Sequence, residues 1–175
     1  HQPGIRVAVL FPEEGVAPRQ RQQLTAFDGN VSAYAVAGVF DDCQRLVKAA
    51  FADAALSEKH QLTSANSINI GRLLPQSIYY AHAALAYEKQ MKMKARFIVP
   101  SGNVGNATAA LWAKRMGFPI AEIVMANNAN GVVTDAFNKL VFEPRPSIPT
   151  LANAMDVGNP SNMERLLYLV SGDLK

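Results

Sequence analysis

The stretch Ser101-Gly102-Asn103-Val104-Gly105-Asn106 constrains this chain more than any other. It follows the apolar run Arg96 to Pro100 and precedes a helical pattern that reaches about Met116. Gly117 ends that helix, and Ile120 to Ala126 is a second run of β-formers. Two strands joined through a helix in this way lie parallel, with a right-handed crossover. The connecting loop then places several backbone N–H groups at a helix N-terminus, backed by the positive end of the helix dipole. Gly102 and Gly105 permit positive φ and a close approach to a ligand. Ser101, Asn103 and Asn106 add hydrogen-bonding side chains. Such a loop suits a phosphate group. It has neither the lysine of a Walker A loop nor GxGxxG spacing, which disfavours nucleoside triphosphates and dinucleotides. A tight strand-to-helix turn that needs two glycines is the plainer explanation, and the loop alone does not decide between them.

A second polar segment, Ser64-Ala65-Asn66-Ser67-Ile68-Asn69, also stands before a helical pattern, which runs from Ile70 to about Gln90. Ser67 or Asn69 can cap that helix. Arg72 falls in its first turn, where a cation opposes the dipole. An anion held between Arg72 and the helix N-terminus would account for the placement, while ordinary capping accounts for the small polar residues. Pro75, inside the pattern, should start a new helical segment or kink the helix. Tyr79 and Tyr80 read as packing residues, and His82 as a surface or packed histidine.

The N-terminal third alternates similarly. Ile5 to Phe11 reads as a strand, broken by Pro12 to Gly15. Pro18 suits a first helical turn and Gly29 a helix end. Val31 to Ala37 is a second short strand. From Asp41 onward, Cys43, Leu46, Val47, Ala50 and Phe51 keep the spacing of one buried helix face. Leu56 to Thr63 reads as a polar connection with a possible short strand. After Asn127 the pattern loosens, prolines 144 to 160 indicate an extended stretch, and Met163 to Val170 can form a last helix. The whole is α/β, in two strand–helix groups: residues 1–62 and 63–175. Each group has too few strands to fill an open parallel sheet, so further strands are expected from elsewhere in the same polypeptide or from another chain.

Composition removes several function classes. Seventeen Lys and Arg against fourteen Asp and Glu give a net charge of +3, and the basic residues are scattered. No nucleic-acid partner is expected from that pattern. No apolar stretch reaches the roughly 20 residues of a membrane span, so no membrane partner is expected. Cys43 is the only cysteine, which fits a reducing, cytoplasmic setting and rules out an internal disulfide. The histidines and the cysteine show no metal-ligand spacing, and no metal site is expected.

Three blocks together resemble the threonine synthase family. They are Thr63-Ser64-Ala65-Asn66-Ser67-Ile68-Asn69-Ile70-Gly71-Arg72-Leu73-Leu74, then Pro100 to Asn106, then Leu151 to Asn162 followed by Glu164-Arg165. They occur in the family's order and spacing, and the resemblance runs from the Val7-to-Phe11 strand onward. It implies a fold-type II pyridoxal-phosphate (PLP) enzyme, a lyase of the tryptophan synthase β-like architecture. Residues 1–62 would be the later part of a small domain, and residues 63–175 part of the large PLP-binding domain. It also implies conversion of O-phosphohomoserine and water to threonine and phosphate. Ser101, Gly102, Asn103, Val104, Gly105 and Asn106 would bind the PLP phosphate. Asn66, Ser67 and Arg72 match positions that hold the substrate phosphate, with Arg72 as a charge-assisted fork. Asn153 to Asp156 lies in a matched block without an assigned role.

The departures from the family pattern carry expectations of their own. The family's Schiff-base lysine lies in a Ser-Phe-Lys-Asp stretch, expected upstream of His1, and no lysine here has that context. Its Thr-Gly-Asp-Thr-Gly loop is likewise not found. Val104 stands where many members have an aromatic residue. Without the lysine, PLP lacks a covalent attachment and the α-proton lacks a general base, so these residues alone are expected to be inactive. Other fold-type II lyases, a threonine-synthase-like protein with another reaction, and a non-catalytic phosphate-binding module are the competing readings. The Asn66-Ser67…Arg72 block favours a phosphorylated substrate over the other lyases.

Overall fold

The computed structural model describes residues 4–172. The chain divides into two units, His1–Thr63 and Ser64–Lys175.

The first unit contains β1 (Val7–Pro12), α1 (Pro18–Thr25), β2 (Val31–Val36), α2 (Phe40–Ala52) and α3 (Ala54–His60). β1 and β2 pair in parallel, from Val7 opposite Val31 to Pro12 opposite Val36. Pro18 opens α1, where its missing N–H has no intrahelical partner to lose. In α2, Asp42 Oδ2 accepts from the Val39 N–H at 2.9 Å, closing the first turn. Its expected buried face is only partly covered: Cys43 is buried, Val47, Ala50 and Phe51 are half-buried, and Leu46 is exposed.

The polar connection expected over Leu56 to Thr63 is instead largely helix. Asp53 caps α3 by accepting from the Leu56 N–H at 2.9 Å. Lys59 and His60 sit in its last turn, and Gln61 ends it in the left-handed region at φ 49°. This helix buries none of its residues. It is specified by its cap and its end charges, so it leaves no apolar period to read.

The second unit contains α4 (Ile70–Leu73), α5 (Gln76–Met91), β3 (Ala95–Pro100), α6 (Gly105–Arg115), β4 (Ile120–Ala126), α7 (Val132–Lys139), a 3-10 turn (Asn153–Met155) and α8 (Met163–Ser171). Pro75 breaks the helical run into α4 and α5, as its missing N–H requires. β3 and β4 pair in parallel, with a register irregularity between Ala95 and Arg96. The strand–helix–strand expectation therefore holds. α7 departs from the loosened pattern expected after Asn127. It has eight residues, of which Val132, Val133 and Ala136 are buried, and Leu140 ends it in a left-handed conformation. Eight residues give too few turns for a periodic signal. The segment from Val141 to Thr150 is irregular, in line with its prolines.

Two clusters form the core of this unit. Tyr80 and Ala84 of α5, Ala95 and Val99 of β3, Ala107, Ala110 and Ala113 of α6, and Ile120 of β4 make the first. The run of alanines on α6 lets that helix lie close to its neighbours. Val104, Val133, Ala136, Met163 and Leu166 make the second, which seats α7 and α8 beside the start of α6. The loop Ser101–Asn106 thus leaves a packed strand and enters a packed helix.

Candidate functional site

The loop after β3 is held from both sides. The Ser101 N–H donates to Ala126 O at 2.9 Å. Its hydroxyl donates to Val99 O at 2.9 Å. Asn127 Nδ2 donates to Ser101 O at 2.9 Å. Among the described residues, the backbone N–H groups of Gly102 to Ala107 donate to no backbone carbonyl, and Thr108 N is the first to do so, to Val104 O at 2.9 Å. Unpaired N–H groups at the start of an eleven-residue helix form a donor set that fits a phosphate.

The backbone reaches that geometry differently from the expectation. Neither glycine has positive φ; the left-handed residue is Val104, at φ 51°. A β-branched residue is strained there. Its side chain is 2% exposed and belongs to the second core cluster, which holds it in place. The glycines serve close packing behind the loop. A methyl on Gly102 would lie 3.1 Å from both Met155 Cα and Val157 Cγ2. One on Gly105 would lie 3.2 Å from Asn162 Nδ2.

Asn106 is fixed by α5. Its Nδ2 donates to Gln76 Oε1 at 2.9 Å and also contacts the Tyr79 hydroxyl. The Tyr80 hydroxyl donates to its Oδ1. Burial, with a smaller contribution from Tyr79, pushes the Tyr80 phenol up to about 12.

The segment Ser64–Asn69 is a network of local turns. Ser64 Oγ accepts from the Asn66 N–H at 3.0 Å, and Asn69 Nδ2 donates to Ser64 O at 2.6 Å. The Ser67 hydroxyl donates to Asn66 Oδ1 at 3.2 Å. Asn69 caps α4 by accepting from the Gly71 N–H at 2.8 Å. Because α4 has only four residues, the argument that Arg72 opposes a long helix dipole lapses. Arg72 Nη1 donates to Ala65 O at 2.8 Å, which folds the exposed guanidinium back over the polar segment.

The third block connects the first two, through residues that sequence reasoning left without roles. Asn103 Oδ1 accepts from both the N–H and the hydroxyl of Ser161, each at 3.1 Å. Ser161 Oγ lies 3.4 Å from Ser67 Oγ. Asn162 is fully buried; its Nδ2 donates to Asn103 O at 3.2 Å. Arg165 donates to Asn162 Oδ1 at 2.6 Å and to Ile68 O at 2.7 Å. Ser67, with Asn66 hydrogen-bonded to it, therefore lies next to Ser161 and through it to the Ser101–Asn106 loop, whereas the Arg72 guanidinium is tied only to Ala65 O of the same polar segment.

Asp156, within the matched Asn153–Asp156 stretch, is a structural clamp. It accepts from the Thr150 N–H at 2.8 Å, the Thr150 hydroxyl at 2.7 Å, Asn128 Nδ2 at 2.7 Å and Asn130 Nδ2 at 3.1 Å. Burial pushes its carboxyl up, but the Thr150 and Asn128 hydrogen bonds outweigh that and hold it below the ordinary aspartate value. The amide-rich run Asn127-Asn128-Ala129-Asn130 was the available signal for this network. His82 is exposed on α5. The described residues contain no cluster of three or more potential metal ligands and no helix long and apolar enough to cross a membrane.

A parallel strand pair joined through an asparagine- and glycine-rich loop at a helix N-terminus makes this an α/β unit of the kind that cradles a phosphate group. Solved structures of threonine synthases share this fold. The chain superposes on the enzyme from Escherichia coli with TM-score 0.87 and 40% identity, covering 95% of this chain and 39% of that one. For the PLP-bound threonine synthase from Brucella melitensis the values are 0.80, 38%, 95% and 36%. In sequence it is 40% identical to threonine synthase of Serratia marcescens over 93% of its length, and 41% identical to that of Schizosaccharomyces pombe over 95%. No family model matches the chain. The chain is thus homologous to a continuous part of the threonine synthases, and it spans about two fifths of the length of these relatives, 38% of the Serratia and 35% of the Schizosaccharomyces protein.

Proposed function

We propose that this chain is the phosphate-binding part of a cytoplasmic threonine synthase, which converts O-phosphohomoserine and water to threonine and inorganic phosphate. Its first unit is assigned to the small domain and its second to the large PLP-binding domain of that enzyme. The observation that carries the reading is the row of unpaired N–H groups from Gly102 to Ala107 at the start of α6. When bound there, PLP supplies the electron sink that lets bonds at the substrate's α- and β-carbons be rearranged.

This chain's own residues bind and orient. The N–H groups of Gly102–Ala107 hold the cofactor phosphate in the dipole of α6. Asn106, fixed by Tyr80 and Gln76, keeps the first turn of that helix in register. Asn66, Ser67 and Arg72 hold the substrate phosphate. Arg72 keeps one hydrogen bond to Ala65 O, which leaves most of its five donors for the leaving group. The covalent attachment of PLP is assigned to none of the lysines in this stretch.

The test is phosphate release from O-phosphohomoserine, with PLP, by the polypeptide that carries this chain. Arg72→Ala and Arg72→Lys should lower kcat/KM by roughly 10- to 100-fold, the worth of a charge-assisted hydrogen bond. Unchanged kinetics in both variants would remove Arg72 from the substrate site.

A further inference from the structure

We propose that Arg165 is a positioning residue that couples the substrate-phosphate segment to the cofactor-phosphate loop. The inference rests on the functional reading above and deepens it. Arg165 lies on α8, half-buried, and its guanidinium forks between two acceptors from different parts of the chain. One is Ile68 O, at 2.7 Å, inside the Ser64–Asn69 segment. The other is Asn162 Oδ1, at 2.6 Å. Asn162 in turn donates through Nδ2 to Asn103 O at 3.2 Å, inside the loop. A continuous path of three hydrogen bonds therefore runs from one phosphate segment to the other.

The chemistry of this path needs arginine. A planar guanidinium presents donors in fixed directions and can satisfy two acceptors at once. Lysine keeps the charge but has no such fork. The end of the path at Asn162 is rigid, because that side chain is fully buried. The Ile68 end is softer, since Ser64–Asn69 is held mainly by local turns, and its other tie toward the loop, Ser67 Oγ to Ser161 Oγ, is a long 3.4 Å contact well beyond the usual O–H···O distance. Fixing the loop at Asn103 with a cofactor should thus restrict the backbone at Ile68 through Asn162 and Arg165. The segment that takes the substrate phosphate would then be ordered before the substrate arrives.

The experiment is amide hydrogen exchange on the polypeptide that carries this chain, with and without PLP alone. In the wild type, PLP should slow exchange in Gly102–Ala107 and, at a distance, roughly fivefold or more in Asn66–Asn69, the lower end of ordinary coupling between sites. In Arg165→Lys and Asn162→Ala the loop should keep its protection, whereas that at Asn66–Asn69 should vanish. Each variant's melting curve shows whether it is folded, and either one suffices. Protection at Asn66–Asn69 that survives in a folded variant would overturn the coupling role. So would a wild type protected only at the loop, which leaves the functional reading intact. A wild type protected at neither place would overturn both.

Discussion

The Tyr80 hydroxyl donates to Asn106 Oδ1 at 2.5 Å, joining the second turn of α5 to the first turn of α6. The ring packs edge-on against Phe97 of β3, with centroids 4.9 Å apart and planes at 88°. One side chain therefore ties α5, β3 and the start of α6 together, its ring supplying apolar packing and its hydroxyl the polar contact.

This placement makes an alkaline prediction. Burial first, and Tyr79 second, raise the phenol from 10.0 to about 12. A group whose folded pKa is raised contributes stability that is complete below its unfolded pKa and is lost as pH climbs through the folded value. Stability should therefore begin to fall above pH 10 and be lost progressively toward 12. Spectrophotometric titration should show a phenol ionising near pH 12 that is missing in Tyr80→Phe. At neutral pH that variant should lose about 1 kcal/mol in urea unfolding, one hydrogen bond's worth. If Tyr80→Phe titrates like the wild type, the assignment fails.

Val104 allows the loop's strain to be measured. Its φ of 51° costs a non-glycine residue about 1–2 kcal/mol, yet its side chain is buried. Val104→Ala keeps the strain and removes two methyl groups, so it should destabilise by about 1–2 kcal/mol. Val104→Gly relieves the strain as well, and should be at least as stable as the alanine variant. That order reverses the usual one in helices, where glycine is worse than alanine by about 1 kcal/mol. Chemical denaturation of both variants decides it: a glycine variant clearly weaker than the alanine one would mean that position 104 is unstrained.

Much of this was legible in sequence, for a physical reason. The β3–α6–β4 unit was readable because its strands are apolar and Gly117 marks the helix end. Pro75 likewise announced the break between α4 and α5. α3 and α7 escaped because seven- and eight-residue helices carry too little periodicity. The Ser101–Asn106 loop could be located between β3 and α6, but its conformation could not. Glycine marks where φ can be positive, whereas here tertiary packing forces Val104 into that region and uses both glycines for close contact. The roles of Ser161, Asn162 and Arg165 depend on contacts 58, 59 and 97 residues away in sequence, which no local pattern encodes.

Asp156 should make the Asn128–Thr150 loop sensitive to acid. Burial raises its carboxyl, the hydrogen bonds from Thr150 and Asn128 lower it, and the balance lies below 3.8. A depressed folded pKa contributes stability above the unfolded value, lost as pH falls through the folded one. Amides of residues 128–130 and 150–156 should therefore stay protected down to about pH 4 and loosen below it. Asp156→Asn should loosen the same amides at neutral pH and flatten the acid dependence, because an amide accepts at its one oxygen only and its NH2 group cannot replace the second acceptor. Native-state hydrogen exchange reads both, and an unchanged acid profile in Asp156→Asn would assign the transition to other carboxylates.

Gly158, the one glycine of the third block, should tolerate no side chain. A methyl there would lie 1.7 Å from Arg145 O and 2.9 Å from Arg145 C, both backbone atoms. The same two residues are already joined, since the Arg145 N–H donates to Gly158 O at 3.0 Å. Arg145 itself is anchored through Nη2 to Asp135 Oδ2 at 2.7 Å on α7. The clash therefore cannot be relieved by rotating a side chain; one backbone segment must move. Gly158→Ala should cost about 3 kcal/mol or more, the upper range for overpacking. Gly172→Ala is the contrasting case: it meets nothing within 4 Å, and its cost comes only from a φ of 77°. It should lose about 1–2 kcal/mol. Urea unfolding of the two variants compares steric exclusion with backbone strain, and equal losses would mean that the Arg145–Gly158 contact yields easily.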